Sequence, residues 1–253
     1  MHPHDELIPL LKKLRLSGVL QSLDLRIRQA SDDNLAASEF LLRLLCDEAE
    51  RRDGKQLQQR LARANFEHHK ALEDFDFSFN PKIPKAKILE LATCAFVSRK
   101  ENIAIVGQAG LGKSHLAQAI GHRSCLAGYA VLYTGAKDMF NTLRAARADD
   151  SYERKLLKFT MPELLIIDDL GLLPLRAEEP LDLYEIIRHR YEHASTIITS
   201  NRDLDEWYPL FRDDLLASAA LDRFLHHCST LTCTGRSFRN PNAKLPTNLE
   251  PAP

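Results

Sequence analysis

The chain has 253 residues, of which 44% are hydrophobic and 27% charged, and its formal net charge is −1. That length allows one or two domains with a full core. A near-neutral balance carries no global field toward nucleic acid or membrane, so any such surface must come from local clustering.

Five cysteines, Cys46, Cys94, Cys125, Cys228 and Cys233, lie scattered, and none forms a C-x-x-C pair. An odd count without metal spacing points to reduced thiols in the cytoplasm. The opening Met1-His2-Pro3-His4-Asp5-Glu6 has neither the basic start nor the apolar centre of a signal peptide. No apolar run approaches the ~20 residues of a membrane span, so a cytoplasmic protein without a membrane partner is expected.

Residues 1–72 read as a small helical domain. Leu7, Leu10, Leu11 and Leu14 recur at helical spacing, and Gly18 breaks that pattern. A second segment carries Val19, Leu20, Leu23 and Ile27. Ser38 is placed to cap a third helix through Leu61, loosened at Asp53-Gly54. Residues 73–85 are a linker in which Phe75, Phe77 and Phe79 alternate with polar residues before Pro81 and Pro84. From 86 to 239 a helix (86–99) precedes alternating segments: strand 102–106, strand 130–134, helices 136–146 and 151–159, strand 163–167, helix 178–192, strand 195–200, helix 213–226 and strand 229–234. Such alternation indicates an α/β core with a mostly parallel sheet. The proline-rich tail 240–253 reads as disordered.

The chemistry begins at Gly107-Gln108-Ala109-Gly110-Leu111-Gly112-Lys113-Ser114, which fits the phosphate-loop pattern G-x-x-x-x-G-K-[ST] at every fixed position. The glycines let backbone N–H groups turn toward phosphate oxygens, Lys113 reaches the β- and γ-phosphates, and the Ser114 hydroxyl ligates Mg²⁺. A strand pattern precedes the loop, and a helix opening at His115 follows it. A second strand, Leu164 to Ile167, ends in Asp168-Asp169. The first acid is placed to support Mg²⁺ and its neighbour to orient or deprotonate the attacking water. A third strand delivers Asn201 to the same sheet edge. Arg223, late in a helix, has two readings: a finger toward a neighbouring subunit's γ-phosphate, or an ordinary arginine paired with Asp222.

In this order and spacing, these elements resemble the AAA+ ATPases. More narrowly, the chain is similar to the IstB-like helper ATPases of bacterial insertion sequences, relatives of the helicase loader DnaC. The resemblance is carried by Gly112 to Ala117, Ile167 to Gly171, Thr199 to Arg202, Leu221 to His227 and Gly235 to Arg239. It implies a AAA+ core binding ATP and Mg²⁺, with Lys113 and Ser114 on phosphate and metal, Asp168 supporting the metal and Asp169 activating water. Asn201 becomes the first sensor, and Arg223 the finger supplied in trans. Most AAA+ proteins carry Asp-Glu where this chain has Asp-Asp, and the shorter acid implies slow or partner-stimulated hydrolysis. Only about thirty residues follow Arg223, too few for the usual helical lid; Arg239 is the candidate to replace that lid's sensing arginine.

The resemblance further implies duplex DNA, a transposase from the same element and an ATP-dependent homo-oligomer as partners. Lys137, Arg144, Arg147, Arg154, Lys155 and Lys158 form the basic cluster suited to a phosphate backbone. Two readings compete: a DnaC-like loader preferring single strands, and an ATP-gated DNA-binding scaffold with little hydrolysis.

Overall fold

The computed structural model describes residues 3–68 and 70–239. The expected disorder from Asn240 onward lies outside the described residues. The chain divides into two compact units, residues 1–59 and 60–253.

The first unit is helical. It contains α1 (Pro3–Lys13), α2 (Ser17–Asp32) and the start of α3 (Ala37–Ala64), within which the division falls. Val19, Leu23 and Leu44 form its core, with Leu11, Leu16 and Phe40 packed against them. The break between α1 and α2 lies before Gly18, where Arg15 takes φ +56°. Gly18 instead stands in the first turn of α2, and its reason is close approach. A Cβ there would lie 2.7 Å from the Glu48 Cα and 2.8 Å from the Asp47 carbonyl. Ser38 also lies inside its helix and does not precede it, and α3 runs through Asp53-Gly54 without interruption.

The second unit builds a five-stranded sheet. Its elements are α4 (Lys85–Leu91), α5 (Ala95–Ser98), β1 (Asn102–Val106), α6 (Lys113–Leu126), β2 (Val131–Gly135), α7 (Ala136–Ala148), α8 (Tyr152–Thr160), β3 (Leu164–Leu170), α9 (Glu179–Arg190), β4 (Ser195–Ser200), a 3-10 helix (Leu204–Phe211), α10 (Asp214–Leu225) and β5 (Cys228–Thr232). The expected helix 86–99 is two short helices, split where Cys94 turns left-handed at φ +63°. The strand order is β2-β3-β4-β1-β5, and every pair is parallel.

Helices cover both faces, so β1 and β4 are buried along their whole length; this is why residues 103–106 and 196–199 read as apolar or β-branched runs. The carboxyl ends of β1, β3 and β4 lie side by side, with β1 inserted between β4 and β5. Ligands of open α/β sheets bind at that end, beside the reversal in strand order.

The 3-10 helix has no counterpart in the sequence reading. Its eight residues are short for an α-helix and include Pro209, which lacks an amide donor, and Asp203 and Glu206 close a capping box at its start. Trp207, 1% exposed, packs there against Phe224 of α10.

Candidate nucleotide site

The loop from Gly107 to Gly112 connects β1 to α6. Gly107 has φ +137°, and a Cβ on it would run into the Cys233 carbonyl oxygen. The chain beyond β5 is therefore part of the loop's surroundings. Cys233 donates its amide to the Val106 carbonyl at 2.8 Å, and Phe238 donates to the Gly110 carbonyl at 2.8 Å. Asn80 fastens the same segment, donating to the Arg236 carbonyl at 2.8 Å and accepting the Arg236 amide at 3.0 Å. Arg239 stands close enough for its charge to act on both Lys113 and Asp169.

Lys113 opens α6 and is 4% exposed. Its ammonium donates to the Gln108 carbonyl at 2.9 Å and to Asn201 Oδ1 at 2.6 Å. Both acceptors are neutral. Burial lowers the lysine's pKa, and the charges of Asp169 and Asp168 oppose that shift. A buried cation bonded only to neutral oxygens is costly without an anion to face. Ser114 and His115 follow in the first turn, and His115 Nε2 lies 2.9 Å from the Ala71 carbonyl. Phe75 packs edge-on to His115, with ring centroids 5.3 Å apart.

The two acids share a strand but not an environment. β3 does not stop at Ile167. It continues to Leu170, with a register irregularity between Ile167 and Leu170 against β4. A bulge of this kind re-aims side chains. Asp168 stays buried, accepting the Tyr133 hydroxyl on Oδ2 at 2.7 Å and the Thr199 hydroxyl on Oδ1 at 2.5 Å. Asp169 takes φ +56° and turns outward, its amide donating to Thr199 Oγ1 at 2.9 Å. Surrounding protein and the Asp168 charge raise the pKa of Asp169, while Lys113 and Arg239 pull it down. A carboxylate that is exposed yet made more basic can accept a proton from water.

One carboxylate, one hydroxyl and a buried ammonium beside a glycine loop form a set of hard oxygen donors and a cation, which fits Mg²⁺ together with a phosphate chain. The family follows from the whole sequence. Residues 9–245 match the model of the IstB-like ATP binding proteins. The chain belongs to this family. Among its relatives, the ATP-binding protein named for insertion sequence IS21 of Pseudomonas aeruginosa is 38% identical over 239 residues, covering 94% of this chain and 89% of that one. The corresponding protein named for IS5376 of Geobacillus stearothermophilus is 37% identical, covering 90% of each chain. Solved structures agree on the fold. The DnaC helicase loader superposes with a TM-score of 0.53 at 21% identity, over 68% of this chain and 97% of its own. AMPPCP-bound DnaA from Aquifex aeolicus gives 0.54 at 24% identity, over 67% and 51%. The second unit thus shares the fold of DnaC and DnaA, and the family is one of ATP-binding proteins.

The remaining sequence candidates lie elsewhere in this unit. Arg223 is half-buried in α10. It donates to the Ala219 carbonyl at 2.5 Å and lies over the Tyr184 ring at 5.8 Å. It does not pair with Asp222, which accepts from Ser218 at 3.2 Å. In the basic cluster, Lys137, Arg144, Arg154 and Lys158 are exposed and Lys155 is half-exposed. Arg147 differs: its guanidinium donates twice to Asp182, at 3.0 and 2.5 Å, and stacks on Tyr152 at 4.3 Å. That side chain fastens α7 to α9. No helix among the described residues is long and apolar enough to cross a membrane. Tyr133 has no place in the sequence reading of the site, because its only signal is a strand neighbour in register with β3.

Proposed function

We propose that this chain is an ATP-hydrolysing, DNA-binding AAA+ ATPase that assembles with copies of itself on duplex target DNA and assists the transposase of its insertion sequence. The buried Lys113 ammonium carries the nucleotide reading, since only neutral oxygens answer it. The relatives' names supply the insertion-sequence context.

In this mechanism Lys113 turns from Gln108 and Asn201 toward the β- and γ-phosphates. The loop amides from Gln108 to Ser114 follow the phosphate chain. Ser114 and Asp168 hold Mg²⁺, which neutralises phosphate charge when bound. Asn201, already beside the Lys113 amine, orients the γ-phosphate or the attacking water. Asp169 takes the water's proton; its raised pKa suits that role. Arg223 of one subunit reaches the loop of the next, so assembly completes the site. Lys137, Arg144, Arg154, Lys155 and Lys158 contact the DNA backbone, and binding falls steeply with salt.

Gel filtration, duplex binding and turnover of parent and Arg223→Ala, each with ATP and with ADP, test the shared site. Loss of ATP-dependent assembly and a fall in turnover of about 10³-fold are expected in the variant. Unchanged assembly and turnover would remove the finger role. Stronger binding to single strands than to duplex would favour a helicase loader.

A further inference from the structure

Tyr133 stands on β2, two residues before Gly135, which pairs with Asp168 in the ladder. Its side chain is 1% exposed, and its hydroxyl ends on Asp168 Oδ2 at 2.7 Å. From the strand on the other side, Thr199 donates to Oδ1 of the same carboxylate at 2.5 Å. Each oxygen of Asp168 therefore receives a hydroxyl from a different neighbouring strand. The Thr199 hydroxyl must donate, because an ionised carboxylate can only accept, and its oxygen in turn accepts the Asp169 amide. One threonine hydroxyl thus ties the two acids together across the bulge. A phenylalanine would fill the Tyr133 ring position equally well, so packing alone does not account for the phenol. Carboxylates that serve metals are commonly held by such outer hydrogen bonds, which fix their orientation and tune affinity.

We propose that Tyr133 and Thr199 are positioning residues that clamp Asp168 from both sides and thereby set the affinity of the nucleotide site for Mg²⁺. The proposal rests on the reading of Asp168 as the metal-supporting acid. It makes Tyr133 a determinant of metal dependence with no contact to nucleotide.

The test is binding of a fluorescent ATP analogue to the full chain, titrated with Mg²⁺ and repeated in EDTA, with melting temperatures measured alongside. Tyr133→Phe should raise the half-saturating Mg²⁺ concentration about tenfold and leave binding in EDTA at the parent level. Thr199→Val should shift it in the same direction, and Thr199→Ser, which keeps the hydroxyl, should restore the parent value. A Tyr133→Phe protein with unchanged Mg²⁺ dependence overturns the clamp. So does equal weakening in Mg²⁺ and in EDTA, because that reports general loosening of β2. Should Tyr133→Phe fold poorly, the contrast between Thr199→Val and Thr199→Ser decides alone: equal Mg²⁺ dependence in those two overturns the proposal. Asp168→Asn separates the two levels of the argument. If it leaves the Mg²⁺ dependence of binding unchanged, the reading of Asp168 fails and the clamp fails with it. If it shifts that dependence and Tyr133→Phe does not, only the clamp is lost.

Discussion

Glu48 and Asp168 are both buried carboxylates, one in each unit, and their neighbours differ in kind. Burial pushes Glu48 up. Arg52, the Gly18 amide, Arg51 and the Val19 amide outweigh it and hold the carboxyl down at about 2. Every one of those partners belongs to the helical unit, so its charge is answered at home. Asp168 receives hydroxyls only, from Tyr133 and Thr199, and beside it Asp169 is raised by burial and by the neighbouring acid. Lys113, the nearby cation, is bonded to neutral oxygens. Charges balanced within a unit hold its helices together. Charges left open at a sheet edge are available to a ligand.

The sharpest way to break that contrast is Lys113→Ala. If the ammonium exists to face phosphate, the variant should lose ATP binding by more than about 100-fold, since each lost charge-assisted contact in a buried site costs heavily. Its melting temperature without nucleotide should stay near or above the parent's, because a buried cation without an anion has been removed. Calorimetric titration with ATP and a thermal melt check both. A variant that binds ATP normally would make Lys113 structural, like Glu48.

Asp169→Asn asks the same question of the outward acid. It should bind ATP and Mg²⁺ as the parent does, and lose turnover by about 10²- to 10⁴-fold, the usual range for a lost general base. Phosphate release under saturating ATP and duplex DNA measures it. Parent-like turnover would leave Asp169 as bulge geometry without chemistry.

How much of this was legible in sequence depends on how local each feature is. The phosphate loop lies within eight residues, so its pattern and its flanking strand and helix could be read together. The inner strands were legible because burial on both faces demands mostly apolar runs. The bulge after Ile167 was not, since a register irregularity is set by the partner strand β4. Tyr133 was invisible for the same reason: its partner is 35 residues away and is brought to it only by the β2–β3 ladder. Gly18 was misread as a helix break because glycine has two uses. Here it admits the approach of α3, a contact 30 residues distant in sequence. Charge clusters show the same limit, since a list of basic residues cannot tell Arg147, committed to Asp182, from exposed Lys137.

The smallest expected effect tests the other half of the comparison. Glu48 has a folded pKa of about 2, below the ordinary ~4.3 of an unfolded glutamate. A depressed acid contributes its stability above the unfolded value and loses it as pH falls through the folded one. Asp47, also held at about 2, first by its hydrogen bond from Arg26, acts with the same sign. The helical unit should therefore weaken between about pH 4.5 and 2. Glu48→Gln should melt several degrees lower at pH 7, since the Arg52 bond loses its charge and the Gly18 amide meets a poorer acceptor. The gap from the parent should narrow steadily below about pH 4.5, and the contribution of Asp47, present in both proteins, cancels from it. Nucleotide binding should be unaltered at pH 7. Melting followed by helical circular dichroism from pH 7 to 2.5, with an ATP titration alongside, measures each of these. A gap that stays constant with pH would show that Glu48 stabilises the unit by packing alone. Altered ATP affinity would show that the helical unit's charges also serve the nucleotide site.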